Sequence, residues 1–205
     1  MFLGPITAKL IANWILRKQI NISHLMLGQN NLGDAGLECL AVAISTSKTL
    51  VAVDLSQNAF TPRCSHFIAE IISRNSSIVD LNLGSLTGSN RNRLGKDGGL
   101  AIAYGLTSVS TLVQYLYLSS ITMGNAEIES IAASLQDYYF LLELDLSENR
   151  IEGARGGSAI ARIIGRKIHK RGGEMLQKVN LSNNKLGNFG FAEVMQELLE
   201  PDSYL

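Results

Sequence analysis

Few residues in this sequence stand at a spacing that chemistry needs. Glu143 and Asp145 are alternate residues of one extended run, so a strand would present both carboxylates on one face, as acid–base pairs require. A strand face without a cleft desolvates neither, and nothing would drive their pKa values apart. The histidines His24, His66 and His169 lie far apart, with no nucleophile or acid at a local spacing. Cys39 and Cys64 sit inside apolar helical stripes and read as small buried hydrophobes, not as a disulfide or metal ligands. Gly95-Lys96 superficially ends a phosphate-binding loop. The glycine required five residues before Gly95 is Asn90, however, and the Ser or Thr required after the lysine is Asp97. No Gly-x-Ser-x-Gly, His-Glu-x-x-His or dinucleotide fingerprint occurs. The expectation is a chain that is not an enzyme and holds no metal or cofactor.

Two charged segments suggest binding instead. Between Glu152 and Glu174 there is no acid, while Arg155, Arg162, Arg166, Lys167, Lys170 and Arg171 are present with His169. Ile160, Ile163, Ile164 and Ile168 mark the buried side of a helix here, and Gly172-Gly173 its stop, so the bases form a solvated patch near its C-terminus. Without interleaved aromatic residues the patch does not read as a nucleic-acid surface. A second segment, 84–96, carries Arg91, Arg93 and Lys96 on a lengthened loop. Across all 205 residues, 18 Lys and Arg balance 18 Asp and Glu, so no global field draws the chain to nucleic acid or an anionic membrane. Hydrophobic residues at 46% suffice for a core, and no apolar run reaches the ~18 residues of a membrane span. The segment 1–21 has no acid and contains Lys9, Arg17 and Lys18. It reads as a helix packed through Ile6, Leu10, Ile11, Trp14 and Ile15, with a mitochondrial presequence as the alternative to a cytoplasmic chain.

What must position these residues is a repeat. Leu25-Met-Leu-Gly-Gln-Asn-Asn-Leu32, Val53-Asp-Leu-Ser-Gln-Asn-Ala-Phe60, Leu144-Asp-Leu-Ser-Glu-Asn-Arg-Ile151 and Val179-Asn-Leu-Ser-Asn-Asn-Lys-Leu186 share one pattern, apolar-x-Leu-x-x-Asn-x-apolar. In two weaker copies, starting at Leu81 and Leu116, Leu86 and Ile121 replace the asparagine. The six starts are spaced 28, 28, 35, 28 and 35 residues apart, one period with a seven-residue addition in two places. Leu-x-Leu makes a short strand with its leucines in the core. Asn30, Asn58, Asn149 and Asn184 then sit where the chain leaves the strand, and their amides can pair backbone groups inside the stack. The glycine of Leu-Gly-Asp or Leu-Gly-Asn suits a tight turn, and the following Asp or Asn is expected to cap a helix.

This pattern resembles the leucine-rich repeat family, in its ribonuclease-inhibitor-like subclass. The resemblance covers residues 20 to 200 or so and implies an α/β solenoid of about six repeats, with parallel strands on a concave face and helices on the convex face. The expected organisation is a single domain over 1–205: a helical half-repeat at 1–21, six repeats over 22–200 with insertions near 84–96 and 155–175, and a tail at 201–205. The second insertion is expected to lengthen the fifth convex helix and its exit. The ends show no recognisable caps, so a longer chain or larger assembly is expected.

In such a solenoid the residues flanking the core leucines point onto the concave face. One column reads His24, Ala52, Asp80, Tyr115, Glu143 and Lys178, the next Met26, Asp54, Asn82, Tyr117, Asp145 and Asn180. A third, Gly28, Ser56, Gly84, Ser119, Ser147 and Ser182, is small and should leave the floor accessible. Acids therefore surround two tyrosines, and Asp54, Asp80, Asn82, Tyr115, Tyr117, Glu143, Asp145 and Lys178 are the candidate contacts for a protein partner with a basic surface. The resemblance extends to the GTPase-activating proteins of the Ran GTPase, which makes regulation of a small GTPase the alternative. It also extends to tropomodulin-like modules and the sensor arms of innate immune receptors.

Overall fold

The computed structural model describes residues 3–17, 21–86, 88, 90–165 and 176–199. Each Leu-x-Leu core forms a three-residue strand: β1 (His24–Met26), β2 (Ala52–Asp54), β3 (Asp80–Asn82), β4 (Tyr115–Tyr117), β5 (Glu143–Asp145) and β6 (Lys178–Asn180). They build one parallel sheet in chain order. The connections carry α2 (Gly33–Thr46), α3 (Ser65–Arg74), α4 (Gly95–Leu106), α5 (Asn125–Ser134) and α6 (Gly153–Ile164). Helix α1 (Gly4–Leu16) precedes the first strand and α7 (Gly187–Leu199) follows the last. Each helix packs on its neighbours in sequence, so the core is a continuous slab between sheet and helices. Leu25, Val53, Leu81, Leu116 and Leu144 are all buried in it, whereas Val179 at the final edge is only half-buried.

The turns after β1, β2, β4, β5 and β6 are costly backbone. Gln29 and Asn31 flank Asn30, and Gln57 and Ala59 flank Asn58, all with positive φ; Ser120 and Thr122 do the same around Ile121. Left-handed residues with a Cβ cost roughly 1–2 kcal/mol each, so something must hold them. The asparagines do. The Asn58 carboxamide oxygen accepts from the N–H groups of Asn30 (3.1 Å) and Leu32 (3.2 Å), and its amide donates to the carbonyls of Leu27 (2.8 Å) and Ser56 (3.0 Å). Asn149 accepts from Met123 N–H (3.1 Å) and Asn184 from Ile151 N–H (3.1 Å), which repeats the device along the stack.

The third repeat corrects the sequence reading. Leu86 does not replace the asparagine, because Asn92 supplies it from beyond the insertion. Its oxygen accepts from the N–H groups of Asn58 (2.9 Å) and Phe60 (3.1 Å), and its amide donates to the carbonyls of Leu55 (3.1 Å) and Leu83 (2.9 Å). Six of the seven extra residues precede this position in the sequence, and Leu86 is 67% exposed. Only Ile121, fully buried, breaks the series. Beside it Ser120 Oγ is buried without a hydrogen-bond partner.

Four further expectations are corrected. The face of α1 that packs on α2 is built by Ala8 and Ala12, with Ile11 and Ile15 against the core, whereas Ile6 (79% exposed), Leu10 and Trp14 are turned outward. Small residues on the inner face let the helices approach closely, so the larger ones fall on the side without a neighbouring repeat. Asp34 and Asp97 make no capping bonds. Asp34 instead accepts from the N–H (2.8 Å) and hydroxyl of Thr61, tying consecutive repeats together. Cys64 is buried, but Cys39 is only partly so. The fifth convex helix is not lengthened: α6 ends at Ile164 with Gly165 as its C-cap. The expected stop at Gly172-Gly173 lies outside the described residues.

Candidate functional site

The sheet register places the concave columns side by side as the repeat predicts. Asp80 is paired with Tyr115 and Tyr115 with Glu143; one step along, Asn82 is paired with Tyr117 and Tyr117 with Asp145. Because parallel strands lie about 4.8 Å apart, these six side chains form one patch on a rigid floor. Both tyrosines are half-buried.

The acids of this patch are not equivalent. Asp145 is consumed locally: one oxygen accepts from Ser147 N–H (2.8 Å) and Oγ (2.6 Å), the other from Asn180 Nδ2 (3.2 Å). Asp54 accepts from Ser56 N–H (2.8 Å) and Asn82 from Gly84 N–H (3.0 Å), so the middle column closes the strand ends as Asx turns. Lys178 pairs with Glu143 at 3.1 Å. Asp80 is the carboxylate left among like charges. Burial, followed by Asp54, pushes its pKa above the ordinary carboxylate value, His24 opposes this, and Glu143 adds to it. The Tyr117 hydroxyl is pushed up as well, by burial and then by the carboxylates of Asp80 and Glu143. The third column leaves the floor only partly open: Gly28, Ser56 and Ser119 are half-buried and Ser182 is exposed. Gly84 and Ser147 are buried, and a Cβ at Gly84 would come within 2.5 Å of Ser119 Oγ.

Elsewhere the candidate bases divide between engaged ones, the exposed Arg162 and those outside the described residues. Arg91 donates through Nε to the carbonyl of Ser120 (2.9 Å), which ties the first insertion down. On the convex face Arg155 makes a bidentate pair with Glu129 (2.6 and 2.7 Å). Arg162 is exposed, while Arg166, Lys167, Lys170 and Arg171 lie outside the described residues. No group of three or more His, Cys, Asp or Glu side chains stands close enough to hold a metal among the described residues, and no helix there is long and apolar enough to cross a membrane.

One site was not legible in the sequence. A groove of about 980 Å³ opens beneath the N-terminal ends of β4 and β5, between the segment 106–114 and the segment 133–142. Its walls include Val109, Tyr139 and Phe140. The aromatic run Tyr138-Tyr-Phe140 was the available signal, but it has no counterpart in the other repeats and so no period to reveal it.

Comparison with known proteins matches this geometry. A leucine-rich repeat model matches residues 18–41 and 140–161. The chain is 28% identical over 173 residues to NACHT, LRR and PYD domains-containing protein 3 of Bos taurus, which covers 84% of the chain but 16% of that protein. It is 26% identical over 136 residues to the ribonuclease inhibitor of Sus scrofa, covering 66% of the chain and 28% of the inhibitor. The chain thus spans less than a third of the length of either relative. Among solved structures, the tropomodulin C-terminal domain of Caenorhabditis elegans superposes with a TM-score of 0.52 at 14% identity, over 93% of this chain and 90% of that one. That likeness is one of fold.

Proposed function

We propose, for a chain that is a leucine-rich repeat protein of the ribonuclease-inhibitor-like kind, a non-catalytic role: it binds a partner protein on its concave face, centred on Tyr115 and Tyr117. The observation that carries this reading is the register that puts two half-buried tyrosines at the middle of the sheet, flanked by Asp80 and Glu143. Fixed strands hold the tyrosines without an ordering cost, and aromatic residues with few rotatable bonds are frequent anchors. Asp80, surrounded by like charge, favours a partner that brings a cation to this point. Both cysteines are free, which suits a reducing intracellular compartment. The chain is read as a single domain over 1–205, with 1–21 as its helical half-repeat.

The test is affinity purification from native extract on wild-type protein and on a Tyr115→Ala/Tyr117→Ala variant in parallel. Binding is then measured with the purified candidate. The variant should lose more than ~2 kcal/mol, about thirtyfold in Kd. A partner that binds the variant as it binds wild type, but not an Arg162→Glu variant, overturns the concave assignment. Stimulated GTP hydrolysis by a small GTPase overturns the non-catalytic, adaptor role in favour of a regulator.

A further inference from the structure

The groove beneath β4 and β5 is not explained by the repeat. Val109 in its wall is 100% exposed and Phe140 is 46% exposed, so apolar surface is offered to a partner along the groove. Its volume falls within the ~300–1,000 Å³ typical of ligand sites. Two further features bear on its occupant.

The first is charge. The groove is lined by no Lys, Arg or His, and Asp137 is its one ionisable acid. The second is continuity. Gln114 and Leu142, which also line the groove, are the residues immediately before Tyr115 and Glu143 of the concave face. Groove and tyrosine patch therefore share an edge at the start of two adjacent strands.

We infer that the groove is the second half of the concave site and takes an apolar side chain from an extended segment of the partner, whose nearby Lys or Arg lies against Asp80 and Tyr117. This rests on the concave-face reading above. An extended segment advances about 3.3 Å per residue, so crossing from the lower row of the sheet into the groove sets the two side chains roughly two to four residues apart. The recognised motif is a base and a large apolar residue at that separation.

Random twelve-residue peptides displayed on phage, selected on the immobilised full chain, test this directly. The expected outcome is a consensus with Lys or Arg two to four residues from Leu, Ile, Phe or Trp. A synthetic peptide of that consensus should bind a Val109→Ser/Phe140→Ser variant at least tenfold more weakly than wild type. Changing the peptide's apolar residue to Ser should cost the same on wild type and nothing further on the variant. Val109→Ser alone, at a fully exposed position, checks that any loss is not a loss of folding. Selected peptides without the pairing, no selected binder, or binding indifferent to the groove variant overturn the inference. Peptides that lose binding on Tyr117→Ala but not on the groove variant leave the concave reading standing while removing this one; the reverse pattern removes the concave reading, and with it the joining of groove and tyrosine patch into one site.

Discussion

Replacing Asn58 by alanine should cost this fold about 3 kcal/mol. The residue is fully buried, and four backbone groups lose a bond with it. They do not lose equally. The Leu27 carbonyl keeps the amide of Asn30 (3.2 Å), and the Ser56 carbonyl keeps the N–H of Gln29 (2.9 Å). The N–H groups of Asn30 and Leu32 have no such substitute, and each buried orphan costs about 1–3 kcal/mol. Asn184→Ala is the internal control. It is only half-buried and orphans one donor, Ile151 N–H, while the Leu146 carbonyl keeps Asn149 (3.0 Å). Its cost should be about 1 kcal/mol. In urea, with m of about 2 kcal/mol/M, the midpoints should fall by about 1.5 M and 0.5 M. Far-UV circular dichroism reads both. Equal midpoints, or a shift for Asn58→Ala below about 0.3 M, would refute the claim that orphaned donors set the cost.

Asn92→Ala should destabilise about as much as Asn58→Ala, while Leu86→Ala stays within about 0.5 kcal/mol; the opposite ranking in the same titration would restore Leu86 to the turn position. Gly157→Ala would place a methyl group on the carbonyl of Gly190, forcing α6 and α7 apart. We expect a loss of more than 2 kcal/mol and early proteolytic release of α7, and an unchanged digestion pattern would contradict it. Because the folded pKa of Asp80 is raised, its ionisation opposes folding, so the stability it carries is full below its ordinary value near 3.8 and declines as pH rises through the folded value. Asp80→Asn should therefore raise Tm at pH 7 and leave it unchanged at pH 3; a lowered Tm at pH 7 would sink this account.

The legible parts of this fold were those that recur at a fixed offset. Leu25, Val53, Leu81, Leu116 and Leu144 fix the strands, and counting one residue either side of them yields the concave columns in their actual register. Asn92 was hidden because an insertion displaced it from the position at which its role was sought, although the chemistry demanding an asparagine was unchanged. The outward face of α1 was hidden because apolar residues occupy more than one side of that helix, and only the close packing of Ala8 and Ala12 decides between them. The Asx turns of Asp54 and Asp145 could have been read from a serine two residues downstream. Counting those acids as free charge overstated what the face offers. The groove depends on where two loops meet, which no local pattern encodes.

The gap in the asparagine series at Ile121 gives the molecule a seam. In the first three repeats, and again in the last three, each turn is latched to the next by an asparagine side chain. At the third junction the asparagine latch is absent, and backbone bonds such as Ser85 N–H to the Ser119 carbonyl (2.7 Å) remain, with the surface bonds of Arg91 Nε to the Ser120 carbonyl (2.9 Å) and Ser119 Oγ to the Ser85 carbonyl (3.3 Å). Stretched between its termini in an optical trap, the chain should yield there first, as two blocks that each hold together at higher load. The tyrosines sit on the far side of that seam from Asp80. A partner spanning both would act as a clasp, and its presence should raise the force of the first rupture.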